Sequence, residues 1–445
     1  MQRVLAAVVS GLFVLSVASC GDDDDESTDT SEPAAAEDAE PTPSGSAPGT
    51  GGDGEAQPSG EAIRIGVLAP QTGAQASVGV EAKRGADLAV RLINESGGVL
   101  GRPLELVYRD DQASADEAVQ IVRDFSNEGI QFTMGYVSSA QCLGVAPVAV
   151  QLEVLVMSSY CQTTAATGES FTENFFRATT SAEMLTRAGA QAVVQEEGAV
   201  ANWGSISPDY EYGHVTWTIF QNQMEQLVDG FTVLGEVWPP FGGASFTDYI
   251  TQLNNDLGDA EAGIFSSLYS GDMLTMLQQA QPHQLVQGRP FLMLGTDLDA
   301  IRPLGQAGNV PEAWVSVAYH HEAFDNPTND EFVTAFQEEY DTVPIGYNAT
   351  AYMTVFAYAA AIEEAGSTEL DAVRDALEGL TWDTPLGEAT IREEDHQAVF
   401  EELAMFKIAP AENAEGFEVA NVITIPGEDV TSPPHPGEVG EFSQE

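Results

Sequence analysis

The sequence predicts an α/β protein built as two doubly wound parallel-sheet lobes, and three observations point there. Short apolar runs of strand length alternate with segments of helical period, the mark of repeated β–α–β units. The alternation comes in two successive series of similar length, the second starting near Ala182. The stretch that carries them, 61–426, is long enough to close two separate cores.

In the first series Ile63–Leu68 reads as a buried strand ending at the loop Pro70-Gln71-Thr72-Gly73. A helix over 81–95 places Ala82, Ala86, Ala89, Val90 and Ile93 on one face. Gly97-Gly98 stops it, and Gly101-Arg102-Pro103 leads into a strand over 104–108. Asp110-Asp111 follows, then a helix over 115–128 with Ala118, Ile121, Val122 and Phe125 inward. A strand at 131–135, a helix at 142–151 and a strand at 154–158 complete the series. The second series runs from a helix through Val194 to strands at 201–205, 232–237, 262–266 and 290–294, with helices at 213–228, 245–257 and 272–281 between them. Repeated units of this kind imply parallel sheets, helices on both faces and right-handed crossovers. Ligands of such sheets bind at the carboxyl ends of the strands, so two lobes place the site in the cleft between them.

The ends of the chain read differently. Met1-Gln2-Arg3, an apolar run from Val4 to Val17 and Ala18-Ser19-Cys20 describe an export leader over 1–19. The small pair before Cys20 resembles the bacterial lipobox, in which that cysteine takes a diacylglyceryl group and becomes the mature N-terminus. Residues 20–60 are rich in Asp, Glu, Pro, Ser and Gly, and after Cys20 hold no aliphatic side chain larger than Ala, so a disordered acidic tether is expected. The tail 427–445, with Pro433-Pro434 and Pro436, is expected to be disordered as well.

Charge excludes a function class. Seventy acidic and 15 basic residues give a formal net charge of -55, and only Lys83 and Lys407 are lysines. Binding nucleic acid requires clustered Lys and Arg, so that partner is excluded. After the leader no apolar run is long enough to span a membrane. Phosphate-cradling glycine loops, a Gly-x-Ser-x-Gly elbow and a Ser-x-x-Lys pair do not occur. His320-His321 is a poor metal pair, because neighbouring side chains of a strand point to opposite faces. No metal, cofactor or enzymatic activity is expected. With Cys20 assigned to lipid, Cys142 and Cys161 remain as an even pair in an oxidising compartment. Cys142 lies near a helix start after one strand and Cys161 in the loop after the next, within reach of a disulfide if the strands are neighbours.

Short motifs then occur in a recognisable order: Gly66-Val-Leu-Ala-Pro-Gln-Thr-Gly73, Asn94-Glu-Ser-Gly-Gly98 with Gly101-Arg102, Asp110-Asp111, Gly135-Tyr-Val-Ser-Ser139 and Phe175-Phe-Arg177. Tyr212-Gly213, Gly295-Thr-Asp297, Ala365-Gly-Ser367, Leu377-Glu-Gly-Leu380 and Thr384-Pro-Leu-Gly387 continue it. Together they resemble the type I periplasmic binding proteins of the branched-chain amino-acid transport group. The resemblance implies two lobes joined by a three-segment hinge near Thr180, 317–321 and 381–387. Lobe 1 would comprise 61–180 and 318–386, and lobe 2 would comprise 181–317 and 387–426. It also implies a monomeric receptor that performs no chemistry and hands a small solute to the permease subunits of an ABC importer.

By the same resemblance, the substrate carboxylate is held after two neighbouring strands of lobe 1. The matching loops carry Ser138 and Ser139, then Tyr160, Cys161 and Gln162, where the family has smaller residues. From lobe 2 the matches are Tyr212, Tyr269 and Asp297, with Asp297 expected to take the substrate ammonium. Tyr210 is an added aromatic able to stack on a planar or cationic ligand. A helix N-cap is the competing role for Ser139 and Asp297, and core packing for each tyrosine. The resulting expectation is an exported, lipid-anchored receptor for an amino acid or a similar small amide or carboxylate. A sensor that docks a membrane signalling receptor is the alternative.

Overall fold

The computed structural model describes residues 58–438 except Ala318. The leader, Cys20, most of the tether and residues 439–445 lie outside the described residues. The first series folds as β1 (Ile63–Leu68), α1 (Ala76–Glu95), β2 (Leu104–Arg109), α2 (Ala115–Asn127), β3 (Phe132–Gly135), α3 (Ser139–Ala149), β4 (Leu155–Ser158) and β5 (Phe175–Arg177). Its strands form one parallel sheet in the order β2-β1-β3-β4-β5. Burial on both faces explains why β3 and β4 are apolar or small throughout, with every residue buried.

Helix α4 (Ala182–Glu197) opens the second lobe. It continues with β6 (Asn202–Ile206), α5 (Glu211–Leu227), β7 (Thr232–Val237), α6 (Thr247–Leu257), β8 (Ala262–Ser266), α7 (Ser270–Ala280), β9 (Phe291–Leu294), α8 (Leu298–Gln306) and β10 (Ala313–Ser316). The chain then returns to lobe 1 as α9 (Pro327–Tyr340), α10 (Gly346–Ala365) and α11 (Leu370–Leu377). Helix α10 lies so close along α1 that a Cβ on Gly85 would stand 2.1 Å from the Asn348 carbonyl oxygen, which requires glycine there.

After α11 come β11 (Thr381–Thr384), β12 (Gly387–Ile391) and β13 (Ala398–Phe400), then β14 (Glu402–Pro410) and β15 (Phe417–Pro426). The last two form an antiparallel hairpin added to β10, giving the lobe 2 order β15-β14-β10-β9-β8-β6-β7. Two boundaries differ from expectation. The segment 387–400, assigned to lobe 2, instead pairs antiparallel with β11 in a separate three-stranded sheet. Gln397 bridges to Arg177 at the edge of the lobe 1 sheet, and the Arg177 N–H donates to the His396 carbonyl at 2.9 Å. The open edge of β5 captures this segment, so the third crossing falls between β13 and β14 rather than at 381–387.

The expected disordered tail is the second difference. Val430 is fully buried, and the Gly427 N–H donates to the Glu401 carbonyl at 2.7 Å. Arg392 donates to the Ser432 carbonyl at 2.7 Å, the Ser432 hydroxyl donates to Glu183 of α4, and the Gly437 N–H donates to the Gly168 carbonyl at 2.9 Å. Residues 427–438 therefore strap across from the lobe 2 sheet to lobe 1, a fourth connection beside the hinge. Proline suits such an extended strap, which forms no sheet ladder. Residues 58–60, counted with the tether, are tied to lobe 1, with Ser59 N–H on the Gly101 carbonyl at 2.8 Å.

Candidate functional site

Besides α1, which starts at Ala76 rather than 81, three helices begin earlier than their amphipathic pattern indicates, all beside the cleft. Helix α3 starts at Ser139 rather than 142, α5 at Glu211 rather than 213, and α7 at Ser270 rather than 272. Their first turns carry residues that face the cleft, so those positions do not follow the core-facing period.

In lobe 1, Gly135 ends β3 with φ +112°, and a Cβ there would meet the Leu68 carbonyl oxygen at 2.0 Å. Only glycine permits that turn, which sets the start of α3 and brings Ser139 into the cavity wall. Ser138 does not reach the cavity: its hydroxyl donates to the Ala113 carbonyl at 3.3 Å and its N–H to Gln141 at 2.9 Å. Gln141 in turn donates to the buried Asp111. The loop after β4 supplies Ser159, Tyr160 and Gln162 to the wall.

Two devices hold that second loop. Cys161 is joined to Cys142 as a disulfide, which turns its side chain toward the lobe 1 core and away from the cavity. Arg177, fully buried, donates Nε to the Cys161 carbonyl at 3.1 Å, one NH to Gln397 at 2.5 Å and the other to the Thr163 carbonyl. Burial lowers this guanidinium to about 10, against the raising effect of Asp395 and Glu211. It remains a cation at neutral pH.

Lobe 2 contributes Tyr210, Tyr212, Tyr269 and Asp297. The Tyr210 and Tyr269 hydroxyls share a hydrogen bond of 3.1 Å, and the Tyr212 and Tyr269 rings meet edge to face at 6.0 Å. Asp297 is the N-cap of α8: Oδ1 accepts from the Leu298 N–H and Oδ2 from the Gly346 N–H of lobe 1, both at 2.6 Å. It fills the cap role and lines the cavity as well. Burial pushes its carboxyl up to about 7, against those two hydrogen bonds. Asp299 does not line the cavity. Its Oδ2 accepts from Ser77 at 2.8 Å and Ser270 at 3.0 Å, so it latches lobe 2 to the first turn of α1.

The lobes are closed on one another. Tyr212 donates to Gln162 at 3.2 Å, Tyr347 to the Gly295 carbonyl at 2.7 Å, and Thr163 to Glu211 at 2.5 Å, each across the cleft. Between them lies a cavity of about 60 Å³. A site of that size takes about four to six waters, since one occupies roughly 10–15 Å³ on this measure. That suits a small solute.

Several wall residues escaped sequence reasoning: Thr179, Thr180, Gly346, Tyr347 and Thr350. Tyr347 was detectable in principle, since Pro344-Ile345-Gly346-Tyr347 opens a long apolar helix and an aromatic side chain in a first turn is available to a cleft. Glu211 also went unnoticed between two expected tyrosines. Its carboxyl is buried and raised, while Thr163, Arg177 and the Ser139 hydroxyl favour its ionised form.

A closed cleft between two parallel-sheet lobes, with polar groups converging on a small cavity, defines a bilobed solute-binding protein of type I architecture. The chain belongs to the periplasmic binding protein family, whose model matches residues 62–413. It is 28% identical over 345 residues to Leu/Ile/Val-binding protein homolog 3 of Brucella melitensis, covering 74% of this chain and 87% of that protein. It is 25% identical over 331 residues to a leucine-, isoleucine-, valine-, threonine- and alanine-binding protein of Pseudomonas aeruginosa, covering 74% and 85%. Among solved structures, the fold matches an ABC-transporter solute-binding protein of Rhodopseudomonas palustris in complex with 3,4-dihydroxybenzoic acid. That match has a TM-score of 0.71 at 19% identity and covers 84% of this chain and 99% of that one.

Proposed function

We propose that this protein is the solute receptor of an ABC importer and that its ligand is a small zwitterionic amino acid. The observation that carries this reading is the buried Asp297 carboxylate in the wall of a closed cavity whose other lobe presents hydroxyl groups. An ammonium takes the first and a carboxylate the second, and one small molecule then ties the lobes together. The names of the Brucella and Pseudomonas relatives support the ligand class. The tyrosines would also suit an aromatic acid such as the one held by the Rhodopseudomonas protein. Against that ligand, no Lys, Arg or His among the described residues lines the cavity, whereas Asp297 does.

Thermal-shift measurements with the twenty standard L-amino acids and with 3,4-dihydroxybenzoate test the reading. A ligand at a hundred times its dissociation constant adds about 2.7 kcal/mol of apparent stability. One or more amino acids should raise the melting temperature and be recovered chemically unchanged. A shift with the benzoate alone, or turnover of the ligand, contradicts the proposal. The export leader and Cys20 complete it as a lipid-anchored receptor on the outer face of the membrane, with 21–60 as spacer. Cys20→Ala should release the protein from the membrane fraction of its host.

A further inference from the structure

We propose that Ser159 and Thr180, rather than Ser139, hold the carboxylate of the ligand. The inference rests on the cleft being the ligand site and goes beyond it by assigning which donors of lobe 1 are free to act. The Ser139 hydroxyl lies beside the Glu211 carboxylate, which reaches across from α5 and keeps one buried oxygen, Oε2, without a hydrogen-bond partner. The same carboxylate takes the Thr163 hydroxyl and sits in the field of Arg177. The protein's own anion thus stands beside the hydroxyl where the family resemblance places the substrate's, and offers it an acceptor.

Ser159 Oγ and Thr180 Oγ1 are in the opposite situation. Both residues are fully buried, both line the cavity, and neither hydroxyl has a hydrogen-bond partner. A buried hydroxyl without a partner is unfavourable and uncommon, so a pair of them in one cavity wall marks a group that the ligand supplies. Their placement follows from the sheet. Ser158 and Arg177 are paired in register on neighbouring parallel strands, so Ser159 follows the carboxyl end of β4 and Thr180 lies three residues past that of the adjoining β5. Thr180 also begins the first hinge crossing, so a ligand oxygen bound there touches the segment about which the lobes move. Each hydroxyl can donate to one carboxylate oxygen, while Asp297 accepts from the ammonium. A simple amine would leave both hydroxyls unpaired and would be rejected.

The test combines Ser159→Ala, Thr180→Val, Thr180→Ser and Ser139→Ala. Calorimetric titration uses whichever compound of the thermal-shift panel binds most tightly, an L-amino acid or 3,4-dihydroxybenzoate. Both carry a carboxylate, so failure of the amino-acid reading leaves this test intact. Ser159→Ala and Thr180→Val should each weaken binding about tenfold or more, the loss expected for a hydrogen bond to a charged group. Thr180→Ser should restore binding to within about threefold, and Ser139→Ala should cost less than Thr180→Val. In the ligand-free protein Thr180→Val should leave the melting temperature unchanged or raised, which a purely structural hydroxyl would not do. Wild-type affinity in both Ser159→Ala and Thr180→Val, or a loss confined to Ser139→Ala, overturns the proposal. Should no panel compound bind, a crystal structure of the protein as purified decides. An oxygen of the cavity's occupant, solute or water, should lie within about 3.2 Å of both hydroxyls. Hydroxyls bonded only to protein atoms would overturn the assignment.

Discussion

Opening the Cys142–Cys161 bridge should cost both stability and cleft geometry. The bridge closes a sequence separation of 19 residues. On the chain-entropy account, releasing a loop of that length costs about 3 kcal/mol at 25 °C. An unfolding entropy of roughly 2.1 cal/mol/K per residue, taken over the ~380 described residues, amounts to about 0.8 kcal/mol/K, so the melting temperature should fall by about 4 °C. The bridge also ties the first turn of α3, which begins with Ser139, to the loop whose Cys161 carbonyl accepts from Ser158 and Arg177. Ligand affinity should therefore drop together with stability. Differential scanning calorimetry of native and reduced protein measures the first effect, after mass spectrometry shows both thiols free. The Cys142→Ala, Cys161→Ala double variant provides the comparison that needs no reductant. A fully reduced protein melting at the native temperature would refute the reasoning.

Truncation after Pro426 removes the strap that buries Val430 and engages Glu183, Arg392 and Gly168. The truncated protein should melt lower and show a larger ligand-free radius of gyration by small-angle scattering; an unchanged profile would argue against a role at the hinge. Arg177→Met leaves the Cys161 and Thr163 carbonyls and the Gln397 side chain without their buried donor, so chemical denaturation should show a loss of about 3–5 kcal/mol. Asp297, raised by burial to about 7, makes the folded state bind a proton more tightly than the unfolded chain does. Its contribution is present at acidic pH and lost as pH rises through about 7, so ligand-free wild type should lose stability relative to Asp297→Asn between pH 5 and 8. A constant difference between the two proteins over that range would count against a buried, protonatable Asp297.

The layout of the lobes was legible because the inner strands of each sheet are buried on both faces. Runs such as Ile63–Leu68 and Ala262–Ser266 carry no competing pattern, and the helices between them show one apolar face. What the chain concealed depends on contacts between distant segments. Residues 387–400 form an ordinary antiparallel hairpin locally, and only the open edge of β5 at Arg177 decides which lobe receives them. Residues 427–438 have the composition of a disordered tail, and Val430 alone hints at a buried anchor. The start of α1 was hidden because Gly79 reads as loop, although its missing side chain is what lets the first turn lie against the Pro70 carbonyl. Within the cleft, Ser139, Tyr160, Gln162, Tyr210, Tyr212, Tyr269 and Asp297 were accessible through motif order and do line one cavity. Thr180 and Tyr347 belong to no such motif, and their place in the cavity wall is set by strand register and helix packing.

Calorimetric titration of wild type, Asp297→Asn and Asp299→Asn at pH 8, with the tightest-binding L-amino acid and its des-amino analogue, tests the central claim most directly. Asp297 lines the cavity whereas Asp299 sits between Ser77 and Ser270 outside it, so the two variants separate an ammonium partner from a lobe latch. Loss of a buried charged partner costs about 2–5 kcal/mol, so Asp297→Asn should weaken the amino acid by about 30-fold or more. Asp299→Asn should weaken it far less, and the des-amino analogue should bind wild type poorly. Wild-type affinity in Asp297→Asn, or equal binding of the amino acid and its des-amino analogue, would contradict the account.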